Sequence, residues 1–296
     1  MSDENLFTDE FLKKLEMLYI ISRKIAAGQM KAERRTKKIG SGIEFADHRN
    51  YNSGDDFRNL DWNLYARTRK LLLKLFEEEE DLYFYFLVDC SASMSLGAEG
   101  ETKLRYAKTL AAALSYIALA NLDRVSVIPF NARPLDRLPP ARGRSQIYKI
   151  FKFLGRVEGG GETSIKDAFR TFASQNKRRG VATVISDFYD PAGFEEGLNF
   201  LRYQKFDTIA IQVFDQNELN PALRGDLQLV DCETGMVRDI TVTAALMRQY
   251  REAFEQFSGE LAEYCIKRRL LYFRAPIQEP FDDVILRVFR AGGFLK

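Results

Sequence analysis

Apolar positions recur at two different periods along this 296-residue chain. Near the start, Phe11, Leu15, Leu18, Ile21 and Ile25 fall at helical spacing, with Leu12 and Tyr19 widening the stripe. A helix is predicted from Thr8 to about Gly28, opened by the threonine and stopped by the glycine. The next stretch, Lys31 to Arg69, is polar and irregular, with glycines at positions 40, 42 and 54. Its aromatic residues, Phe45, Tyr51, Phe57, Trp62 and Tyr65, are too many for a disordered linker. Ordered loop structure packed on something larger is expected there, with a strand over Leu71 to Glu77.

From Leu82 onward apolar runs and helical stripes alternate. "LYFYFLV" predicts a buried strand, Lys103 to Leu122 a helix and "RVSVIPF", Arg124 to Phe130, a second strand. Helices follow over Ser145 to Arg156 and Ser164 to Lys177, then the strand "VATVIS", Val181 to Ser186. Gly193 to Tyr203 is helical and "DTIAIQVF", Asp207 to Phe214, is a strand. "LQLVDCETGMVRDITV", Leu227 to Val242, reads as a hairpin turning at Thr234-Gly235. A long helix to about Arg268, the strand "LLYFRA" and a helix from Phe281 complete the chain. Strands alternating with helices require crossover connections, so the predicted fold is α/β: a doubly wound, mostly parallel sheet with helices on both faces. Two regions are expected, residues 1–80 with the N-terminal helix and the loop-rich block, and residues 81–296 with the α/β domain.

Composition narrows the function classes. An apolar fraction of 46% supplies a core, and a net charge of +2 gives no global field to recruit nucleic acid or a membrane surface. Charge is nevertheless uneven: "KAERRTKK", Lys31 to Lys38, and "EEEED", Glu77 to Asp81, are local patches of opposite sign. No apolar run is long enough to span a bilayer, and the acidic N-terminus lacks a secretory layout, so stable membrane insertion and secretion are not expected. Cys90, Cys232 and Cys265 are odd in number and far apart, which fits neither a disulfide framework nor a zinc site and agrees with a reduced cytoplasmic location. His48 is the single histidine, which removes many enzyme classes that need an imidazole base.

The candidate chemistry lies where the strands end. Asp89 follows "YFYFLV" and Asp187 follows "VATVIS", both at the edge where doubly wound sheets bind ligands. Between them, "GGGETSI", Gly159 to Ile165, delivers Thr163 just before a helix. Asp89, Ser91, Ser93, Thr163 and Asp187 could therefore converge. All are hard oxygen donors of the kind Mg²⁺ prefers, with Mn²⁺ or Ca²⁺ as alternatives. In Asp89-Cys90-Ser91-Ala92-Ser93 every second side chain can face one side, which turns Cys90 and Ala92 toward the core and makes Cys90 a small buried hydrophobe.

These residues carry a resemblance. Asp-x-Ser-x-Ser after a first strand, a threonine on a glycine-rich loop and "SD" after a later strand are similar to the metal-ion-dependent adhesion site of von Willebrand factor A domains, over Asp81 to about Ala275. The resemblance implies that Ser91, Ser93 and Thr163 reach the ion directly and that Asp89 and Asp187 act largely through water. It also implies that an acidic residue of a partner protein completes the coordination. A second stretch, Gly40 to Asp81, resembles the signature of the bacterial domain-of-unknown-function 58 family. Glu44-Phe45, Asp47, Arg49, Tyr51, Gly54-Asp55-Asp56, Arg58, Asp61-Trp62, Ala66-Arg67 and Glu78-Glu79 are in place. That resemblance implies a partnership with a MoxR-type AAA+ ATPase.

Other readings of the same residues are weaker. Ser91 or Ser93 as a nucleophile lacks a base and a G-x-S-x-G elbow. Asp89 as a phosphoryl acceptor lacks a second acidic residue two positions on. The glycine run lacks the Lys-Ser/Thr of a phosphate loop. "RRTKK" reads as a solvated basic face rather than a nucleic-acid contact. In the loop-rich block, Asp55, Asp56 and Asp61 alternate with Arg49, Arg58, Arg67 and Arg69 and read as an internal ion-pair network with Trp62 as its apolar plug, or else, together with Asp47, as a surface on which a partner docks. The expected function is non-catalytic: Mg²⁺-dependent recognition of an acidic residue on a partner protein. The alternative is a metal-assisted hydrolase using the same five residues.

Overall fold

The computed structural model describes residues 7–32, 39–40, 44–77, 82–98, 100–132, 134–221 and 223–292. Most of "KAERRTKK" and of "EEEED", including Glu78-Glu79, lies outside the described residues. The chain divides into two compact units, residues 1–28 with 82–296, and residues 29–81.

In chain order the elements are α1 (Asp9–Ala32), β1 (Ile39–Gly40), β2 (Glu44–Asn50), α2 (Trp62–Thr68), β3 (Leu72–Glu77), β4 (Tyr83–Asp89), β5 (Gly97–Ala98), β6 (Glu101–Thr102), α3 (Lys103–Ala120), β7 (Arg124–Phe130), β8 (Leu138–Arg142), α4 (Ile147–Leu154), α5 (Ile165–Gln175), β9 (Val181–Ser186), α6 (Glu195–Tyr203), β10 (Asp207–Phe214), α7 (Gln216–Leu219), β11 (Gly225–Val230), β12 (Val237–Val242), α8 (Ala244–Lys267), β13 (Leu271–Pro276) and α9 (Phe281–Arg290).

The larger unit is a mixed α/β structure around a six-stranded sheet in the order β13-β10-β9-β4-β7-β8. Its first five strands are mutually parallel and β8 is antiparallel. Strand β4 is apolar throughout because both its faces are covered. Phe84, Phe86 and Val88 enter one core cluster with residues of α1, α3, α4 and α9, while Tyr85 and Leu87 enter another with residues of α5, α6 and α8. Helix α3 is buried nearly all round, which its run of alanines permits.

The neighbours β4 and β9 run onward in opposite directions, β4 through α3 to β7 and β9 through α6 to β10. That reversal opens a crevice beyond their carboxyl ends, at Asp89 and Asp187. Edge strand β8, "LPPAR", was not expected from the sequence, since two prolines argue against a strand. At an edge, where one side of the backbone needs no ladder, Pro139 and Pro140 are tolerated.

Helix α1 belongs to this unit by its packing. Leu15 is fully buried, Phe11 lies 5.1 Å from the Phe281 ring, and Phe7 stacks on Phe151 at 4.3 Å. The helix runs past Gly28 to Ala32, so that glycine does not stop it. A glycine inside a helix weakens it without breaking it.

The smaller unit is more regular than its sequence suggested. It holds a three-stranded antiparallel sheet, β1-β3-β2, in which only β3 was expected. Strand β2, "EFADHRN", carries no alternation of apolar and polar residues and has a register shift between Phe45 and Asp47, so it left little trace in the pattern. Leu60 and Leu73 are buried and bridge one another. Trp62 is not an apolar plug: it is 59% exposed, with its ring edge against Tyr65.

Candidate functional site

The crevice is assembled from three loops. The first leaves β4 at Asp89 and forms a 3-10 turn over Ala92–Ser95. The second is the glycine-rich run before α5. The two are bonded backbone to backbone, Gly160 N–H to the Cys90 carbonyl at 2.8 Å and Ala92 N–H to the Gly161 carbonyl at 3.0 Å. This close approach explains the glycines. A Cβ on Gly159 would stand 2.2 Å from Ser95 Oγ, and Gly161 has a φ of +84°. Asn131, at the end of β7, donates from Nδ2 to the Gly160 carbonyl at 3.1 Å. The third loop follows β9, where Phe188 holds a φ of 62°, a conformation that non-glycine residues adopt only when their surroundings impose it. Asp190 of that loop accepts the Ile165 N–H at 2.7 Å and so ties it to the start of α5.

Asp89 and Asp187 are both fully buried. Asp89 accepts from Ser91 N–H at 2.9 Å through Oδ1 and from the Ser186 hydroxyl through Oδ2. Burial, and then the charge of Asp187, push the Asp89 carboxyl up to about 7. Ser91 Oγ and Ser93 Oγ lie 3.0 Å apart, and both residues are buried. Cys90 is fully buried and donates its thiol to the Phe130 carbonyl. Burial, then Asp89, raise the thiol to about 12, so it is a packing residue as expected.

Three residues that sequence reasoning did not single out complete the charge pattern. Lys103, the first residue of α3, is fully buried and places Nζ 2.8 Å from Asp187 Oδ2 and 2.6 Å from Glu218 Oε1. Burial opposes its charge, but Asp187 and Glu218 outweigh burial and hold the ammonium above the usual lysine range. Its nitrogen also lies 5.1 Å from the centre of the Tyr189 ring. Thr163, 7% exposed, gives its hydroxyl to Glu233 Oε1 at 2.9 Å and its N–H to Glu233 Oε2 at 3.1 Å. Glu233 comes from the turn between β11 and β12. Lys103 leaves little trace in the sequence, since Arg105 and Lys108 follow it in the first turns of the same helix. Glu218 and Glu233 look like any surface glutamates.

The crevice opens into a cavity of about 540 Å³ whose wall includes Ser93, Lys103, Tyr189, Glu218, Glu233 and Tyr250. Chemically, the site offers neutral hydroxyls above two buried carboxylates, with one resident ammonium. Among the described residues no group of three or more His, Cys, Asp or Glu side chains is placed to hold a metal, so any cation would depend on the hydroxyls.

The residues singled out in the smaller unit form local pairs. Arg49 binds Asp55 at 2.9 Å, and Arg58 grips Asp56 through Nε and Nη2, the latter at 2.7 Å. These arginines hold both aspartates below the ordinary carboxylate range, Asp56 at about 2. Asp61 caps α2 through the Leu64 N–H and meets His48 Nε2 at 3.0 Å, which lowers its carboxyl. Asp47 accepts the His48 N–H at 2.8 Å, and Arg67 is exposed. Arg49–Asp55 and Arg58–Asp56 are thus separate pairs near the surface and not the internal network expected, because this small unit buries too little to enclose them.

The family model for "Protein of unknown function DUF58" matches residues 47–260, well over half of the chain. This chain belongs to the DUF58 family. Uncharacterized proteins of Mycobacterium bovis and Mycobacterium tuberculosis are each 26% identical to this DUF58 protein over 226 residues, covering 75% of it and 71% of their own length. Among solved structures, the conserved hypothetical protein BatB of Bacteroides thetaiotaomicron matches with a TM-score of 0.46 and 15% identity, over 72% of this chain and 98% of that one. An aerotolerance-related membrane protein of Bacteroides fragilis matches with a TM-score of 0.44 and 16% identity, over 70% and 96%. Among the described residues of this DUF58 protein no helix is long and apolar enough to cross a membrane.

Proposed function

We propose that this protein is a non-catalytic, divalent-cation-dependent binding module that recognises an acidic side chain of a partner protein. The carrying observation is the pair of buried serine hydroxyls 3.0 Å apart beside two buried carboxylates, at the reversal point of the sheet. Adjacent corners of a Mg²⁺ octahedron with bonds of roughly 2.1 Å are about 3 Å apart, so the two hydroxyls fit cis positions on one small cation. Asp89 and Asp187, both fully buried, stand behind these hydroxyls, and Lys103 is paired with Asp187.

In this reading Ser91, Ser93 and Thr163 hold the ion, while Asp89 and Asp187 orient the loops and supply charge behind them. Asp89 fixes the Ser91 amide, and Asp187 takes the Tyr189 N–H at 3.1 Å. A cation bound mainly by neutral hydroxyls keeps positive charge for an incoming carboxylate. Such an arrangement resembles a von Willebrand factor A adhesion site, and the reading extends to a doubly wound domain of that type. The likeness of Gly40 to Asp81 to its family signature supports a MoxR-type AAA+ ATPase as the partner system. The exposed Trp62 and the Asp47 to Arg67 charges then offer that partner a second surface.

Mg²⁺ at about 100 times its dissociation constant should add roughly 2.7 kcal/mol to stability. Ser91→Ala and Thr163→Ala should lose that increment while remaining folded. An increment that survives in both variants rules out the hydroxyl-based site.

A further inference from the structure

We infer that the β11–β12 hairpin is an internal ligand: Glu233 stands where the partner's carboxylate would bind, and the partner must displace it. The inference rests on the cation-site reading above and concerns what guards that site. Glu233 comes from a turn 70 residues from Thr163, yet both its carboxylate oxygens are spent on that one residue, one on the hydroxyl and one on the amide. Thr163 is the hydroxyl that the glycine-rich loop brings to the crevice, so its proton cannot serve Glu233 and its oxygen a cation without the carboxylate sitting beside the ion.

The hairpin is built to present this residue. Asp231 Oδ1 accepts the N–H groups of Glu233 at 2.9 Å and Thr234 at 2.7 Å, and Gly235 turns the chain at a φ of 69°. The tip is therefore shaped by its own hydrogen bonds and does not depend on the crevice for its form. Among the described residues β11 and β12 pair only with each other, and Leu229, Val230, Met236 and Val237 are exposed. An isolated two-stranded ribbon buries little and is held weakly, so withdrawing it disturbs no core. Asp231, Cys232, Glu233 and Thr234 share the wall of the 540 Å³ cavity with Ser93, Lys103 and Tyr189, so a carboxylate-bearing turn of a partner has room to enter as the tip leaves.

Charge argues the same way. Asp187 and Glu218 already share a single ammonium, and a further carboxylate on that cavity wall is held better with a cation nearby than without one. The expected partner is thus an acidic residue on a tight turn, resembling the hairpin tip itself.

The test uses the full chain, Glu233→Ala and Glu233→Gln, with Mn²⁺ alone as the first probe. The second probe is a peptide copying residues 229–238 with Cys232→Ser. A tethered tip acts at an effective concentration of order millimolar, so a competitor with an intrinsic Kd of about 0.1 mM should bind both variants about tenfold more tightly than the native chain. Mn²⁺ binding, read by its relaxation of water protons, should be present in all three proteins. Equal or absent peptide binding across the three, with Mn²⁺ still bound, overturns the internal ligand and leaves the cation site standing. Failure of all three to bind Mn²⁺ overturns both.

Discussion

Two sets of ion pairs in this molecule use the same chemistry in opposite surroundings. Lys103 with Asp187 and Glu218 lies in the floor of the crevice, with the lysine and Asp187 both sealed from water. Arg58 with Asp56, in the smaller unit, has a bidentate geometry at similar distances but is 88% and 46% exposed along its side chains. In the first set the protein supplies everything that solvates the charges, so removing one partner leaves the others stranded. In the second, water substitutes for whatever is lost. The carboxylates report this difference: burial pushes Glu218 above the ordinary carboxylate range despite Lys103, while Arg58 draws Asp56 down to about 2. Geometry alone therefore does not separate the two sets; their isolation from water does.

The sharpest way to break the comparison is Lys103→Met. It strands two carboxylates and should lower stability by roughly 3–5 kcal/mol, read from the urea unfolding midpoint. Mg²⁺ should restore part of that loss. A loss under about 1 kcal/mol would put the buried pair on the level of a surface one. Gly159→Ala comes next. Its new methyl meets Ser95 Oγ and crowds Leu104, so Ser95 or the loop must give way, and overpacking of this kind costs about 1–3 kcal/mol. A loop displaced in this way should also weaken the Mg²⁺ increment, which separates a site effect from a general loss of stability.

The smallest effect belongs to the exposed pair. Arg58→Ala should leave the unfolding midpoint where it is. In the native chain Asp56 should titrate at about 2 by NMR, below its ordinary 3.8. A lowered carboxyl stabilises the folded state above its unfolded value, so this small contribution is complete above 3.8 and disappears as the pH falls through about 2. In Arg58→Ala the same carboxyl should return toward its ordinary value. A titration unchanged by the substitution would mean that Arg58 does not cause the shift.

Sequence alone carried the larger unit far. Strands β4, β7, β9 and β10 declare themselves because strands covered on both faces must be apolar along their whole length. Their ends are then marked by the first charged or polar residues, which is why Asp89 and Asp187 were legible as a pair. The serines and the glycine-rich loop were legible because small residues in a fixed order have few other uses. The smaller unit was harder to read, since β1 and β2 are short and polar and their pairing depends on β3 rather than on any pattern of their own. Trp62 misled for a related reason: an aromatic residue among charges suggests burial, and exposure is decided by neighbours that are distant in the chain.

What the sequence determined by itself was the alternation of elements, the sheet edge that carries the candidate site and the oxygen-rich character of that site. What only the tertiary structure decided was the company those oxygens keep. Lys103 reaches Asp187 across 84 residues and Glu233 reaches Thr163 across 70. A side chain's own neighbours in the chain fix its local conformation, but the charge it faces inside a fold is set by topology. Only once β4 and β9 lie side by side do Asp187 and Thr163 acquire their distant partners, a buried lysine ammonium from α3 and a glutamate from the β11–β12 turn.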